Sequence, residues 1–115
     1  MLIFKIVSRR EWDARIGAYH GSRHDRADGF LHFSTGAQLA ETLRLHYAGQ
    51  DDLVLVAADP AALGDALKWE PSPSRGEDFP HLYAALTPAA VKWTRPLTRD
   101  ASGAFTLPPE LQSTL

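Results

Sequence analysis

The chain has 115 residues, 44% hydrophobic and 23% charged, with a formal net charge of -2. That size and balance fit one globular domain with a real core and exclude a disordered or fibrous chain. Mixed charge signs leave no basic footprint for non-specific nucleic-acid binding. The absence of cysteine excludes disulfides, thiolate chemistry and sulfur-ligated zinc.

Residues 2–7 are apolar and β-branched around Lys5, which predicts a strand. They do not read as a signal peptide, because no basic segment precedes them, Lys5 breaks the apolar run and no small-residue cleavage site follows. No run reaches the length needed to span a bilayer. The expected location is the cytoplasm. Ser8-Arg9-Arg10-Glu11 is a capping-box pattern opening a helix to about residue 16, which Gly17 stops. Residues 17–29 are polar and glycine-punctuated, and predict a long loop of the kind that is more often functional than idle.

Residues 30–34 then read as a strand. Thr35-Gly36-Ala37-Gln38 is a second capping box, and Leu39, Leu43 and Tyr47 mark the inner face of the helix it opens. Residues 52–58 are apolar on both faces, as expected of a central strand. Asp59-Pro60 opens a single helical turn. Residues 67–70 predict a short strand, residues 71–78 an irregular exposed loop, and residues 79–83 a return to order. Thr87-Pro88 opens another helical turn, after which residues 91–95 alternate as a strand. Beyond residue 97 the segment 98–115 reads as an extension, surface-packed or frayed. The whole predicts one α+β domain with a split or strongly twisted mixed, largely antiparallel sheet and two main helices.

Chemistry concentrates in Asp28-Gly29-Phe30-Leu31-His32-Phe33-Ser34-Thr35. On one strand, Phe30, His32 and Ser34 share a face while Leu31 and Phe33 anchor in the core. A strand-held histidine with a hydroxyl two residues on can bind or turn over a small polar ligand; a buried histidine bonded to backbone is the alternative. The N-terminus of the following helix, at Thr35-Gly36, suits an anion. His20, His24, Asp25, Asp28 and His32 have the composition of a metal site, but glycines surround the segment and a solvated loop explains them as well, so no metal is expected. Asp28, His32 and Ser34 lack a Gly-x-Ser-x-Gly elbow and an oxyanion donor pair, which argues against a serine hydrolase. No glycine-rich phosphate loop is present. A second cluster joins Trp69-Glu70 to Phe79-Pro80-His81-Leu82-Tyr83, in which Trp69 and Tyr83 can stack on a ring and Glu70 can meet a hydroxyl or a developing cation.

Asp28-Gly29-Phe30-Leu31-His32-Phe33-Ser34, Trp69-Glu70 and Phe79-Pro80-His81-Leu82-Tyr83, with the opening strand and Glu11-Trp12, resemble the small bacterial DUF952 domains up to about Leu97. That family is similar in fold to the ADP-ribosyltransferases, including the NAD-dependent RNA 2′-phosphotransferases. The resemblance implies a cleft in which His32 holds the nicotinamide ribose, Ser34 or Thr35 supports it, His81 is a second cleft residue and Tyr83 a stacking face. It puts Phe33 where the His-Gly-Thr pattern of those enzymes has glycine, and it gives Glu70 a catalytic part by residue type alone. The resulting expectation is a small NAD- or nucleotide-handling glycosidic transferase or hydrolase. Its catalytic residues would be His32, His81 and Glu70, and Ser34, Thr35, Tyr83, Trp69 and Asp28 would bind the substrate. NAD would be substrate rather than bound cofactor. The alternative is a non-catalytic module that binds a nucleotide or small anion. Either way the partner is a small molecule, with no membrane and no non-specific nucleic acid.

Overall fold

The computed structural model describes residues 1–72 and 74–112; Pro73, in the expected 71–78 loop, and the end of the 98–115 extension lie outside them. The strands are β1 (Ile3–Ser8), β2 (Leu31–His32), β3 (Ser34–Thr35), β4 (Leu53–Ala58), β5 (Leu67–Ser72), β6 (Glu77–Leu82), β7 (Val91–Arg99) and β8 (Phe105–Thr106). The helices are α1 (Arg9–Ala14), α2 (Arg23–Asp28), α3 (Gly36–His46) and α4 (Pro109–Gln112). The strands form two sheets, a five-stranded one in the order β3-β1-β4-β7-β8 and a three-stranded one in the order β2-β6-β5. Every strand pair in them is antiparallel.

β4 is the axis of the larger sheet, buried at all six positions. Its alternate side chains feed two separate apolar layers. Val54, Val56 and Ala58 join Ile3 and Val7 of β1 and pack towards Leu31 and Leu82 of the smaller sheet and Phe33, which follows β2. Leu53, Leu55 and Ala57 join Phe4 and Ile6 on the other face and pack against Leu39 and Leu43 of α3. The molecule is therefore three layers deep, sheet on sheet on helix, the arrangement expected where a sheet is apolar on both faces. Among the described residues, no helix is long and apolar enough to cross a membrane.

Several expectations need correction. Residues 23–28 are helical, not loop: Ser22 and Asp25 form a reciprocal capping box, and Gly29, with φ +87°, closes α2 in the left-handed conformation. The single strand expected over 30–34 is two two-residue strands in different sheets. β2 pairs with β6 and β3 with β1, so the chain changes sheet at Phe33, whose N–H donates to Pro80 O at 3.0 Å. The expected 71–78 loop is mostly hairpin, with Pro71 opposite Asp78 and Ser72 opposite Glu77. Proline is tolerated there because β5 is the sheet edge, where a missing N–H costs no ladder bond. Both expected helices form, α1 ending early at Ala14 and α3 running to His46, and the short helices α2 and α4 join them among the described residues.

Beyond Leu97 the described part of the extension is ordered and contributes to the core. β7 continues to Arg99 and pairs with β8, and Leu111 of α4 is 2% exposed in the layer under α3. Truncating Leu111 to alanine should therefore cost about 2–5 kcal/mol of unfolding free energy, as for other buried leucines, measured by urea denaturation. An unchanged midpoint would show that the extension does not contribute to the core.

Candidate functional site

Asp25 is the centre of the site. It sits at the third position of α2, where the capping box brings Ser22 N–H to Oδ2 at 2.9 Å. Lys5, from β1, reaches the same oxygen with Nζ at 2.8 Å, and both side chains are almost wholly buried, at 4% and 3% exposure. The other oxygen accepts the His32 main-chain N–H at 3.1 Å and lies 2.6 Å from His32 Nδ1. Lys5 also donates to His32 O at 3.0 Å. Burial pushes the Asp25 carboxyl up, but the His32 hydrogen bond and the Lys5 ammonium outweigh it and hold the group well below the usual carboxylate range. For Lys5 burial dominates and lowers the pKa, against the opposing pull of Asp25. Gly21 makes room for this hub. It has φ +106°, and a Cβ there would lie 2.9 Å from Asp25 Cβ.

His32 is thus fixed on one side by Asp25. On the other, Nε2 lies 2.9 Å from Asp28 Oδ2. His24, one turn before Asp28 on α2, reaches the same oxygen at 3.5 Å and stacks on His32 with centroids 4.6 Å apart. β2 and β6 place His81 directly opposite His32, with the rings edge-on at 5.7 Å. Phe30 stacks on His81 at 4.0 Å. Behind His81, Glu70 Oε1 lies 2.8 Å from its Nδ1 and accepts the Tyr83 hydroxyl at 2.7 Å. The Tyr83 bond, then the His81 bond, keep the Glu70 carboxyl below its ordinary value, and the same Glu70 contact raises the Tyr83 hydroxyl.

His24, His32 and His81 border a cavity of about 510 Å³ whose walls also include Phe79, Tyr47 and Arg75, whereas Phe30 and Tyr83 line a second pocket. It opens where the larger sheet is incomplete: β4 pairs with β1 along Ile3 to Ser8, whereas β3 covers only Ile3 and Phe4 on the other edge. Arg75 is held in place by Nη1 donating to Thr42 Oγ1 at 2.7 Å and Nη2 to Gln38 O at 3.2 Å, and it lies over the Phe79 ring. Burial, followed by the nearby Asp25 and Glu11 charges, pushes the Tyr47 hydroxyl up to about 12. Tyr47 is therefore a neutral group at physiological pH. Its volume is that of a small-molecule pocket, and its walls combine apolar side chains with many polar and ionisable ones.

The residues expected at the site divide into three groups. His32, Asp28, His81, Glu70 and Tyr83 come together as described. Ser34 belongs to a different sheet from His32 but lines the same cavity; it is buried and shares a hydrogen bond with Thr42 at 3.1 Å. Thr35 caps α3, its hydroxyl accepting Gln38 N–H at 3.2 Å, so the anion seat expected there is already filled by a side chain. Trp69 does not join the rings. It faces Pro80 across the β5–β6 ladder, on the side of the sheet away from Glu70 and His81. His20 lies apart from His24 and His32, beside a shallower pocket of about 310 Å³. Lys5 and Arg75 were missed, since neither a lysine alternating in a strand nor an arginine in a turn carries a signal of its distant partner.

The family model described as "Protein of unknown function (DUF952)" matches residues 6–94. The chain belongs to this family. It is also similar to the crystal structure of protein CC0527 from Caulobacter crescentus, at 45% identity and a TM-score of 0.90, over 97% of this chain and 99% of that one. The solution NMR structure of CC0527 is likewise 45% identical, with a TM-score of 0.81, over 99% and 96% of the two chains. No curated protein matches the sequence.

The Asp25 hub sets an acid limit. Because its folded pKa lies below the unfolded value of about 3.9, its stabilisation is complete above that value and is lost as pH falls towards the folded pKa. Asp25→Asn should lose about 3 kcal/mol at neutral pH, because Lys5 is left buried without its counter-charge, and should flatten the acid limb. Thermal melts from pH 6 to 2.5 check both. Parallel curves for the two proteins would assign the acid limit to other carboxylates.

Proposed function

We propose that the cavity binds a nucleotide-type small molecule, a ring with attached phosphate, and that NAD is its substrate in a glycosidic transfer or hydrolysis of the ADP-ribosyltransferase kind. The observation carrying this reading is a single cavity whose walls hold both the His32–His81 pair and the clamped Arg75 guanidinium. Imidazole and phenyl faces receive a planar ring by stacking, and a pre-positioned guanidinium suits phosphate oxygens. His81 is the better placed catalytic group. Its Nδ1 is engaged by Glu70, and its Nε2 has no hydrogen-bond partner among the described residues. In the reaction, the ribose C1′–nitrogen bond breaks and its electron pair leaves with the ring nitrogen. Water or an acceptor hydroxyl then adds to C1′ and gives its proton to His81 Nε2. Glu70 is not on the cavity wall, so it acts as a positioning residue that orients His81.

A second reading, non-catalytic binding of a nucleotide or small anion in the same cavity, is favoured by one observation. Both ring nitrogens of His32 are already engaged, by Asp25 and Asp28.

NMR titration with NAD, ADP-ribose and nicotinamide separates these outcomes. Saturable shifts at cavity residues, weakened about tenfold or more (about 1.4 kcal/mol) in Arg75→Ala, are expected. Nicotinamide release that is lost in His81→Ala identifies an enzyme, while binding without release identifies the sensor. Absence of shifts at millimolar ligand overturns both nucleotide readings.

A further inference from the structure

We propose that His24, Asp28 and His32 form a binding site for one divalent transition-metal ion of the zinc class at the rim of the cavity. The fold brings them together in a specific way. His24 and Asp28 are four residues apart on α2 and so share a face, and the left-handed turn at Gly29 returns the chain so that His32 on β2 meets them. One ligand atom from each of the three lies within 4.8 Å of the others, and Nε2 of His24 and of His32 stand 3.5 and 2.9 Å from Asp28 Oδ2. Ligands about 2.1 Å from a tetrahedral ion stand roughly 3.4 Å apart, so small side-chain adjustments suffice.

A second feature points to a ligand independently of that spacing. His32 Nδ1 is bonded to a buried carboxylate, Asp25, which is itself held by Lys5 and the Ser22 main chain. A metal-binding imidazole commonly donates its remote N–H to a carboxylate, which fixes the tautomer and directs the other nitrogen at the ion. Here the built and buried part of the assembly lies behind Nε2, while the groups in front of it are exposed: His24 is 75% and Asp28 41% exposed. The stacked His24 ring must tilt away from His32 to aim its lone pair at a shared ion, and its exposure leaves it room to do so. Two imidazoles and one carboxylate suit Zn²⁺, Co²⁺ or Ni²⁺ better than Mg²⁺ or Ca²⁺. Three protein ligands leave a fourth position open, as in reactive rather than structural sites. Since His24 and His32 both line the cavity, that position can meet an anionic group bound there. The site rests on its own geometry and does not depend on the nucleotide reading.

The test uses tag-free, chelator-stripped protein and metal alone. Titration with Co²⁺ should give the visible bands of a four-coordinate ion, and calorimetry with Zn²⁺ should give one ion per chain. His24→Ala and Asp28→Asn, both at exposed positions that leave the fold intact, should each weaken binding about tenfold or more. Asp25→Asn should weaken it about 10–100-fold through His32 orientation, and His20→Ala should leave it unchanged. No saturable uptake below about 100 µM Zn²⁺ (roughly 5.5 kcal/mol) overturns the proposal. Uptake indifferent to His24→Ala and Asp28→Asn also overturns it. A null metal result accompanied by NAD shifts would remove the ion and leave the nucleotide reading standing.

Discussion

A charged carboxylate buried between two sheets must be met by donors on every side, and the site depends on how Asp25 meets that demand. Left alone in an apolar interior, such a group would be neutralised or would unfold the region. Lys5, the Ser22 main chain and two groups of His32 surround it instead. These partners come from β1, the cap of α2 and β2, so satisfying one charge ties α2, which contributes no apolar residue to the core, to two strands that do. α2 illustrates the point. It has six residues and no apolar stripe, and its buried residue is Asp25 itself. It is held in place by polar anchoring where most helices are held by hydrophobic burial.

The same constraint orients the chemistry. His32 is tied through both its main chain and its ring, so the imidazole has little freedom, and His81 is paired opposite it by strand register. Rigid elements hold reactive groups more precisely than loops do. Here two histidines, each backed by its own carboxylate, project from adjacent strands beside one cavity. The second carboxylate, Glu70, is exposed and hydrogen-bonded by Tyr83, so the two imidazoles differ in their backing, one resting on a buried carboxylate and the other on a solvated one.

Much of the scaffold was legible in the sequence, and the failures have physical causes. β4 announced itself through apolar residues on both faces, and α3 through its capping box and the Leu39–Leu43 spacing. Ser22 and Asp25 carry the same capping signature, but the helix they open lacks hydrophobic periodicity, so its glycine-rich flanks dominated the reading. Lys5 alternates within β1 as a solvent-facing residue would, yet it points into the sheet–sheet interface because Asp25 waits there. Alternation placed Ser34 beside His32 on the premise of one continuous strand, and the change of sheet at Phe33 removed that premise. Phe30, His32, His81 and Tyr83 lie together, while Trp69 fell on the other side of the hairpin for want of a register that only pairing with β6 supplies.

The change of sheet at Phe33 has a mechanical side. His32 and Ser34 are separated by one residue yet belong to different sheets, and Phe33 is clamped between them by its buried ring and its bond to Pro80. Any widening of the gap between the sheets must pull on this short seam, as opening a book pulls on its spine. Cavity width and imidazole position are therefore linked coordinates: a guest large enough to part the sheets also turns His32, and one that leaves them closed meets the histidine where the empty protein holds it.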